Sequence, residues 1–232
     1  DMRLLFENDI RLNRLDETKE AAVESNQELD WPNLSKYKTE NETLHASESN
    51  EDRTVLIGDS ITEGWSLSDP DFFKHNNLIN RGISGQTSPQ MLIRFKQDAV
   101  HLRPNLIVIN AGTNDIAGNT GPASPEMVID NITSMAEIAM KNSIDVALST
   151  ILPVDKYEWN DKETDVPERI SKVNIALKKY SLEKQLEINH TAGFFCRMIG
   201  SGVLPCRRVG IPSSSQSVIG ILYSCLLYTS DA

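Results

Sequence analysis

Thr54-Val55-Leu56-Ile57-Gly58-Asp59-Ser60-Ile61-Thr62 is the stretch on which the reading of this chain turns. Its first four residues are apolar or β-branched and read as a short buried strand, stopped by Gly58. A serine follows two residues after the glycine, at a tight strand-to-helix turn. Such a turn pushes a hydroxyl outward and places the serine N–H at a helix N-terminus, where negative charge is stabilised. Taken alone, a serine there is more often a simple helix cap.

Working outward, the same grammar repeats. Ala46 to Arg53 (ASESNEDR) is a polar approach to this first strand. Leu78-Ile79-Asn80 reads as a second short strand, and Leu106-Ile107-Val108-Ile109 as the clearest buried one. Ile144 to Leu148 is a fourth, ending before Pro153. Between them lie helical stripes: Met91, Leu92, Phe95 and Ala99 after Pro89; then Val128, Ile132, Met135 and Ala139, opened by Ser124-Pro125-Glu126. Ile170, Val173, Leu177 and Tyr180 mark a last amphipathic helix. Strands alternating with helices predict an α/β chain with a parallel sheet covered on both faces.

The 232 residues suit one mid-sized domain, with 39% hydrophobic and 24% charged residues. The net charge of −10 makes phosphate backbones and anionic lipid poor partners, so nucleic acid is not expected. No apolar run approaches the ~18 residues a membrane span needs. The chain opens on Asp1 without a signal-peptide pattern and reads as a fragment or mature form, which leaves its localisation unknown. Cys196, Cys206 and Cys225 form neither a disulfide framework nor a zinc spacing, and the histidines and carboxylates form no metal set.

The expected organisation is threefold. Residues 1–52 form a polar, partly helical segment, with Trp31-Pro32-Asn33-Leu34 and Tyr37 packed on the domain; residues 53–185 form the domain itself. From 186 to 232 the character changes: no lysine follows Lys184, and no acidic residue lies between Glu187 and Asp231. Two readings of this stretch stand, a divergent terminal extension or a frameshifted, non-native read. The closing Cys225-Leu226-Leu227-Tyr228-Thr229-Ser230-Asp231-Ala232 resembles translated adapter sequence and favours the second.

Three loops sit at the carboxyl ends of successive strands, where open parallel sheets bind ligands. Gly58-Asp59-Ser60-Ile61-Thr62 is the first. Asn80-Arg81-Gly82-Ile83-Ser84-Gly85-Gln86-Thr87 is the second, with Gly85 permitting close backbone approach. Gly112-Thr113-Asn114-Asp115 is the third, with the Asn114 amide as a donor. Singly, Gly85 and Asn114 are turn residues. In this order, GDSIT, SGQT and GTND resemble the SGNH (GDSL-type) serine hydrolase family, over roughly Asp30 to Lys184.

That resemblance implies a three-layer α/β/α sandwich with a flavodoxin-like parallel sheet, its last strand and helix missing here. It implies ester hydrolysis through an acyl-serine on Ser60, without metal or cofactor. The oxyanion would be held by the N–H groups of Ser60 and Gly85 and by the Asn114 amide. Asp59 braces the turn, Asp115 fixes its loop, and Trp65 and Arg81 border the substrate pocket. The loop Tyr157-Glu158-Trp159 either shapes the acyl or alcohol site or packs beneath it. The substrate class is a small-molecule ester: an acylated sugar, a short acyl ester or a lysophospholipid. An extracytoplasmic or periplasmic setting fits by family analogy.

One part is missing. The family supplies its base from an Asp-x-x-His after the last strand, and His190 lacks that aspartate. Asp98-Ala99-Val100-His101 has the spacing but sits on the helix between the second and third blocks. Asp98 reads as a solvated charge and His101 as a helix-end histidine, with His45 and His75 at the surface. The chain as written is therefore expected to be inactive or nearly so. The alternative is a non-catalytic ligand-binding module with the same cleft. A nucleotide-binding domain is weaker, because Gly58 to Gly64 lacks the phosphate-loop lysine pattern.

Overall fold

The first four strands of the sheet are short, largely buried and each followed by a loop at the carboxyl end. The computed structural model describes residues 30–46, 53–160 and 162–190. Strands β1 (Thr54–Gly58), β2 (Leu78–Gly82), β3 (Leu106–Asn110), β4 (Asp145–Thr150) and β5 (Glu187–His190) lie in the order β2-β1-β3-β4-β5. All four pairings are parallel. This is the doubly wound flavodoxin-like order, with its reversal between β1 and β3.

The helices are α1 (Lys38–Ala46), α2 (Ser60–Ser68), α3 (Pro70–His75), α4 (Ser88–Asp98), α5 (Thr113–Ile116), α6 (Pro125–Lys141) and α7 (Val166–Lys184), with a 3-10 turn at Val100–Leu102. Side chains alternate across the sheet, so the strands feed two cores. Val55, Ile57, Ile107, Ile109, Val146 and Leu148 meet Met91 and Phe95 of α4, Val128, Ile132 and Met135 of α6, and Ile170, Val173 and Leu177 of α7. Leu56, Leu78, Leu106, Val108 and Ala147 meet Trp65 of α2 and Phe72 and Phe73 of α3 on the other face. The three aromatics form one packed group, with Trp65 stacked on Phe72 at 5.4 Å and edge-on to Phe73 at 5.4 Å.

The helical stripes read from sequence are the buried faces of α4, α6 and α7. The structure departs from expectation at the far edge of the sheet. The last strand is not missing: β5 pairs with β4, Ala147 beside Glu187 and Thr150 beside His190. Gln185 ends α7 in the left-handed region (φ 56), which turns the chain into β5, and Leu186 and Ile188 pack against the larger core. The sheet thus extends past residue 185. Residues 191–232, where the family's closing helix is expected to be missing and where the three cysteines fall, lie outside the described residues.

In front of β1, α1 and the turn before it lie on the domain. Tyr37 Oη donates to the carbonyl of Gly82, and Gln97 Nε2 to that of Leu34 at 2.6 Å. The other residues of the 1–52 segment, 1–29 and 47–52, lie outside the described part.

Candidate active site

Ser60 is the first residue of α2 and is exposed at the carboxyl end of β1. Asp59, buried beneath it, caps the helix: its Oδ1 accepts from the Ile61 N–H at 3.0 Å. The turn is tight because two glycines let backbone meet backbone. A Cβ on Gly58 would stand 2.0 Å from Thr62 Oγ1, and one on Gly82 only 2.2 Å from the Glu63 nitrogen. No side chain fits at either place, so the first turn of α2 is pressed onto the ends of β1 and β2.

The second loop leaves β2 and is tied to the first by Ile83 N–H donating to Gly58 O at 3.0 Å. Gly85 is exposed, with φ of +76°, a conformation that favours glycine. In the third loop Asn114 is only 5% exposed. Its Nδ2 donates to the Gln86 carbonyl at 2.9 Å, joining the second and third loops directly. Asp115 fixes the start of α4, accepting from the Ser88 N–H at 2.9 and 3.1 Å and from its hydroxyl.

Burial governs the charges here. It pushes Asp59 up from 3.8 to about 6, against the pull of the Ile61 N–H, and the nearby Asp115 carboxylate adds to the rise. Asp115 is itself raised by burial, partly offset by its bonds to Ser88. Tyr157, 3% exposed, is pushed up to about 12 by burial, opposed by Arg169 and reinforced by Asp59 and Asp115. Its ring lies 4.9 Å from that of Trp159, which is 61% exposed. Trp159 Nε1 donates to Asn119 Oδ1 at 3.2 Å. Tyr157 therefore packs beneath the loop, while Trp159 stands at its rim.

Two expected pocket residues lie elsewhere. Trp65 is 3% exposed inside the aromatic group with Phe72 and Phe73, because α2 turns it toward the sheet. Arg81 is fully buried: its guanidinium binds Asn41 Oδ1 at 2.8 and 3.0 Å, Glu40 at 3.0 Å and the Asn80 carbonyl, with the Tyr37 ring 4.5 Å away. Neither borders open space, so both are structural. Asp98 is not a solvated charge either. It is buried and paired with Arg94 at 3.2 Å, and it accepts from Asn41 Nδ2 at 2.8 Å.

Sequence reasoning passed over Arg94, Gln86 and Asn119. Arg94 is fully buried and donates to Gly58 O at 3.2 Å and to Gln86 Oε1 at 2.6 Å, supporting the first two loops from below. The signal was available: Met91, Arg94, Phe95 and Asp98 share one face of α4, and a charged pair on a buried face has to be partnered.

No described histidine side chain stands at Ser60. His45 and His75 are exposed, on α1 and α3. His101 lies in the turn that leads into β3, at the amino edge of the sheet, where a cleft gathers His45, His101 and Arg103. The backbone of His190 ends β5 at the carboxyl edge; Glu187, three residues before it, begins the strand. Among the described residues there is no group of three or more metal-ligating side chains, and no helix long and apolar enough to cross a membrane.

The chain resembles known proteins in both sequence and fold. The profile of the GDSL-like lipase/acylhydrolase family matches residues 56–195. The chain belongs to that family. A candidate acylhydrolase from Bacteroides fragilis is 46% identical, with TM-score 0.67, over 69% of this chain and 77% of that one. A GDSL-like lipase from Bacteroides thetaiotaomicron is 43% identical, with TM-score 0.67, over 69% and 78%. The lipoprotein YqeF of Bacillus subtilis is 29% identical over 125 residues, 47% of this chain; the chain spans 51% of that curated relative. Ester hydrolysis is the chemistry of the GDSL-like family, and its substrates are small-molecule esters.

Proposed function

We propose that this domain hydrolyses a carboxylic ester through an acyl-enzyme on Ser60, with the oxyanion held by the Ser60 and Gly85 N–H groups and the Asn114 amide. What carries the reading is Asn114. It is an almost wholly buried side chain whose Nδ2 spends one N–H on Gln86 O and keeps the second. A buried donor left over at the carboxyl edge, on the loop after the strand that pairs with the one leading to Ser60, suits a developing oxyanion. The family resemblance implies a base on an Asp-x-x-His segment following the last strand, a pattern that residues 186–232 do not spell. The chain as it stands then retains little of the rate, because a serine without its base keeps only binding and oxyanion effects.

The test compares p-nitrophenyl acetate turnover in the chain, in its Ser60→Ala variant, and in a chain whose residues after β5 are replaced by an Asp-x-x-His loop and helix. The first two are expected to match. The third is expected to turn over and to take a fluorophosphonate label on Ser60. A label on another serine, with turnover surviving Ser60→Ala, refutes the assignment. A repaired chain that stays inert while still binding ester favours the non-catalytic module.

A further inference from the structure

Asn119 takes no part in the proposed chemistry, yet its side chain touches two of the three loops that carry the proposed donors. Nδ2 donates to Gly85 O at 3.2 Å and to Asn114 Oδ1 at 3.0 Å. Its backbone N–H bonds the Asn114 carbonyl at 3.0 Å, closing the turn after α5. Its Oδ1 accepts from Trp159 Nε1 at 3.2 Å, which leaves Nδ2 facing the two loops. Asn160 Nδ2 donates to the Ala117 carbonyl at 2.7 Å and pins the same turn from the Trp159 side.

We infer that Asn119 is a positioning residue that locks the oxyanion donors in register, an inference that rests on the roles proposed for Gly85 and Asn114. Hydrogen-bond polarity is the reason. Were the Asn114 amide to turn over, its oxygen would face the Gln86 carbonyl and its nitrogen would face Asn119 Nδ2. Acceptor would meet acceptor and donor would meet donor. Asn119 from one side and Gln86 from the other thus allow one orientation, in which the second Asn114 N–H stays free for substrate. The same Nδ2 holds the carbonyl of Gly85, whose φ is +76°. A site held within fractions of an ångström needs such backing, since misplacing a donor forfeits much of its effect.

Asn119→Asp separates this role from turn closure. The aspartate keeps the backbone bond to Asn114 O and an acceptor for Trp159, but presents oxygen where Gly85 O and Asn114 Oδ1 need a donor. In the full chain, 15N relaxation of the Asn114 side-chain amide reads its order directly. Phenylboronic acid, which adds to the Ser60 hydroxyl as a tetrahedral oxyanion mimic, reads the hole. Asn119→Asp and Asn119→Ala are expected to drop the Asn114 amide order parameter from about 0.85 to below about 0.6. Boronate affinity should fall about tenfold, less than the loss of a whole donor, while the melting temperature moves by less than about 4 °C. Trp159→Phe should give a smaller loss in the same direction.

Unchanged Asn114 order in Asn119→Asp overturns the inference, as does lost order with unchanged boronate affinity. If the unaltered chain takes no boronate at Ser60, the nucleophile assignment fails separately, and the amide order alone decides the role of Asn119.

Discussion

Replacing Asp59 by asparagine isolates the electrostatic cost of the turn that carries Ser60. In the folded chain the carboxyl sits almost wholly out of water next to Asp115, and its value rises from 3.8 to about 6. The native state therefore binds the Asp59 proton more tightly than the unfolded chain does. Below about pH 4 both states are protonated and nothing is lost. Between about pH 4 and 6 the native state holds the extra proton, so stability falls as pH rises. Above about pH 6 the full penalty applies; at about 1.4 kcal/mol for each pH unit it reaches about 3 kcal/mol. Asparagine keeps Oδ1 for the Ile61 N–H and cannot ionise.

The replacement also leaves an Nδ2 to be satisfied, at a cost of about 1–3 kcal/mol that does not vary with pH. The measurement is therefore the pH dependence of the difference between the two proteins. Urea unfolding at about pH 4 and about pH 7 should show the Asp59→Asn variant gaining on the parent by about 3 kcal/mol across that interval. A difference that stays level across the interval refutes the buried, proton-holding Asp59, and with it the claim that burial dominates the charge beneath Ser60.

Four further outcomes follow from the same geometry. Gly82→Ala, whose Cβ would meet backbone of α2 at 2.2 Å, should cost at least about 3 kcal/mol in urea unfolding, whereas Gly85→Ala, with no atom nearer than 4.0 Å, should cost only the ~1–2 kcal/mol of its left-handed φ. Trp65→Ala should destabilise by about 3–5 kcal/mol, and in a repaired, active chain Trp65→Phe should leave KM unchanged, since the ring lies in the core. Asp98→Ala should cost about 3–5 kcal/mol by leaving Arg94 buried without its counter-charge, read as a lowered urea midpoint. In the repaired chain, Asn114→Ala should lower kcat by roughly 10²–10³ with little change in KM, measured on p-nitrophenyl acetate.

The elements legible in the sequence were those whose signal is local. A buried strand such as Leu106–Asn110 opens on an unbroken apolar run, Leu106 to Ile109, and α6 repeats its apolar residues in steps of four, three and four. The loop motifs were legible because glycine, serine and asparagine at strand ends each have a backbone reason to be there. What escaped was set by tertiary contact. Strand β5 is four residues long, with Ile188 in it and Leu186 just before it packing against the core, too short a pattern to separate from coil. Trp65 and Arg81 lie next to the motifs in sequence, but the rotation of α2 and the pleat of β2 turn them inward. Asn119 carries no pattern of its own; its partners are 5, 34 and 40 residues away.

The family match begins at residue 56, yet the second loop is also held by residues before it. Gln86 Nε2 donates to Pro32 O at 2.8 Å, Tyr37 Oη bonds Gly82 O, and Lys36 pairs with Glu63. Glu63 in turn accepts from the Ser84 N–H at 2.8 Å, one residue before Gly85. Arg81, buried at the end of β2, is hydrogen-bonded by Asn41 and paired with Glu40, both of α1. Opening the 30–46 segment would therefore expose the Arg81 guanidinium and free the loop between Gly82 and Gln86 at once. Neither change touches Asp59 or Asp115. On this geometry the segment belongs to the scaffold of the site, and its loss should loosen Gly85 while leaving the turn at Ser60 in place.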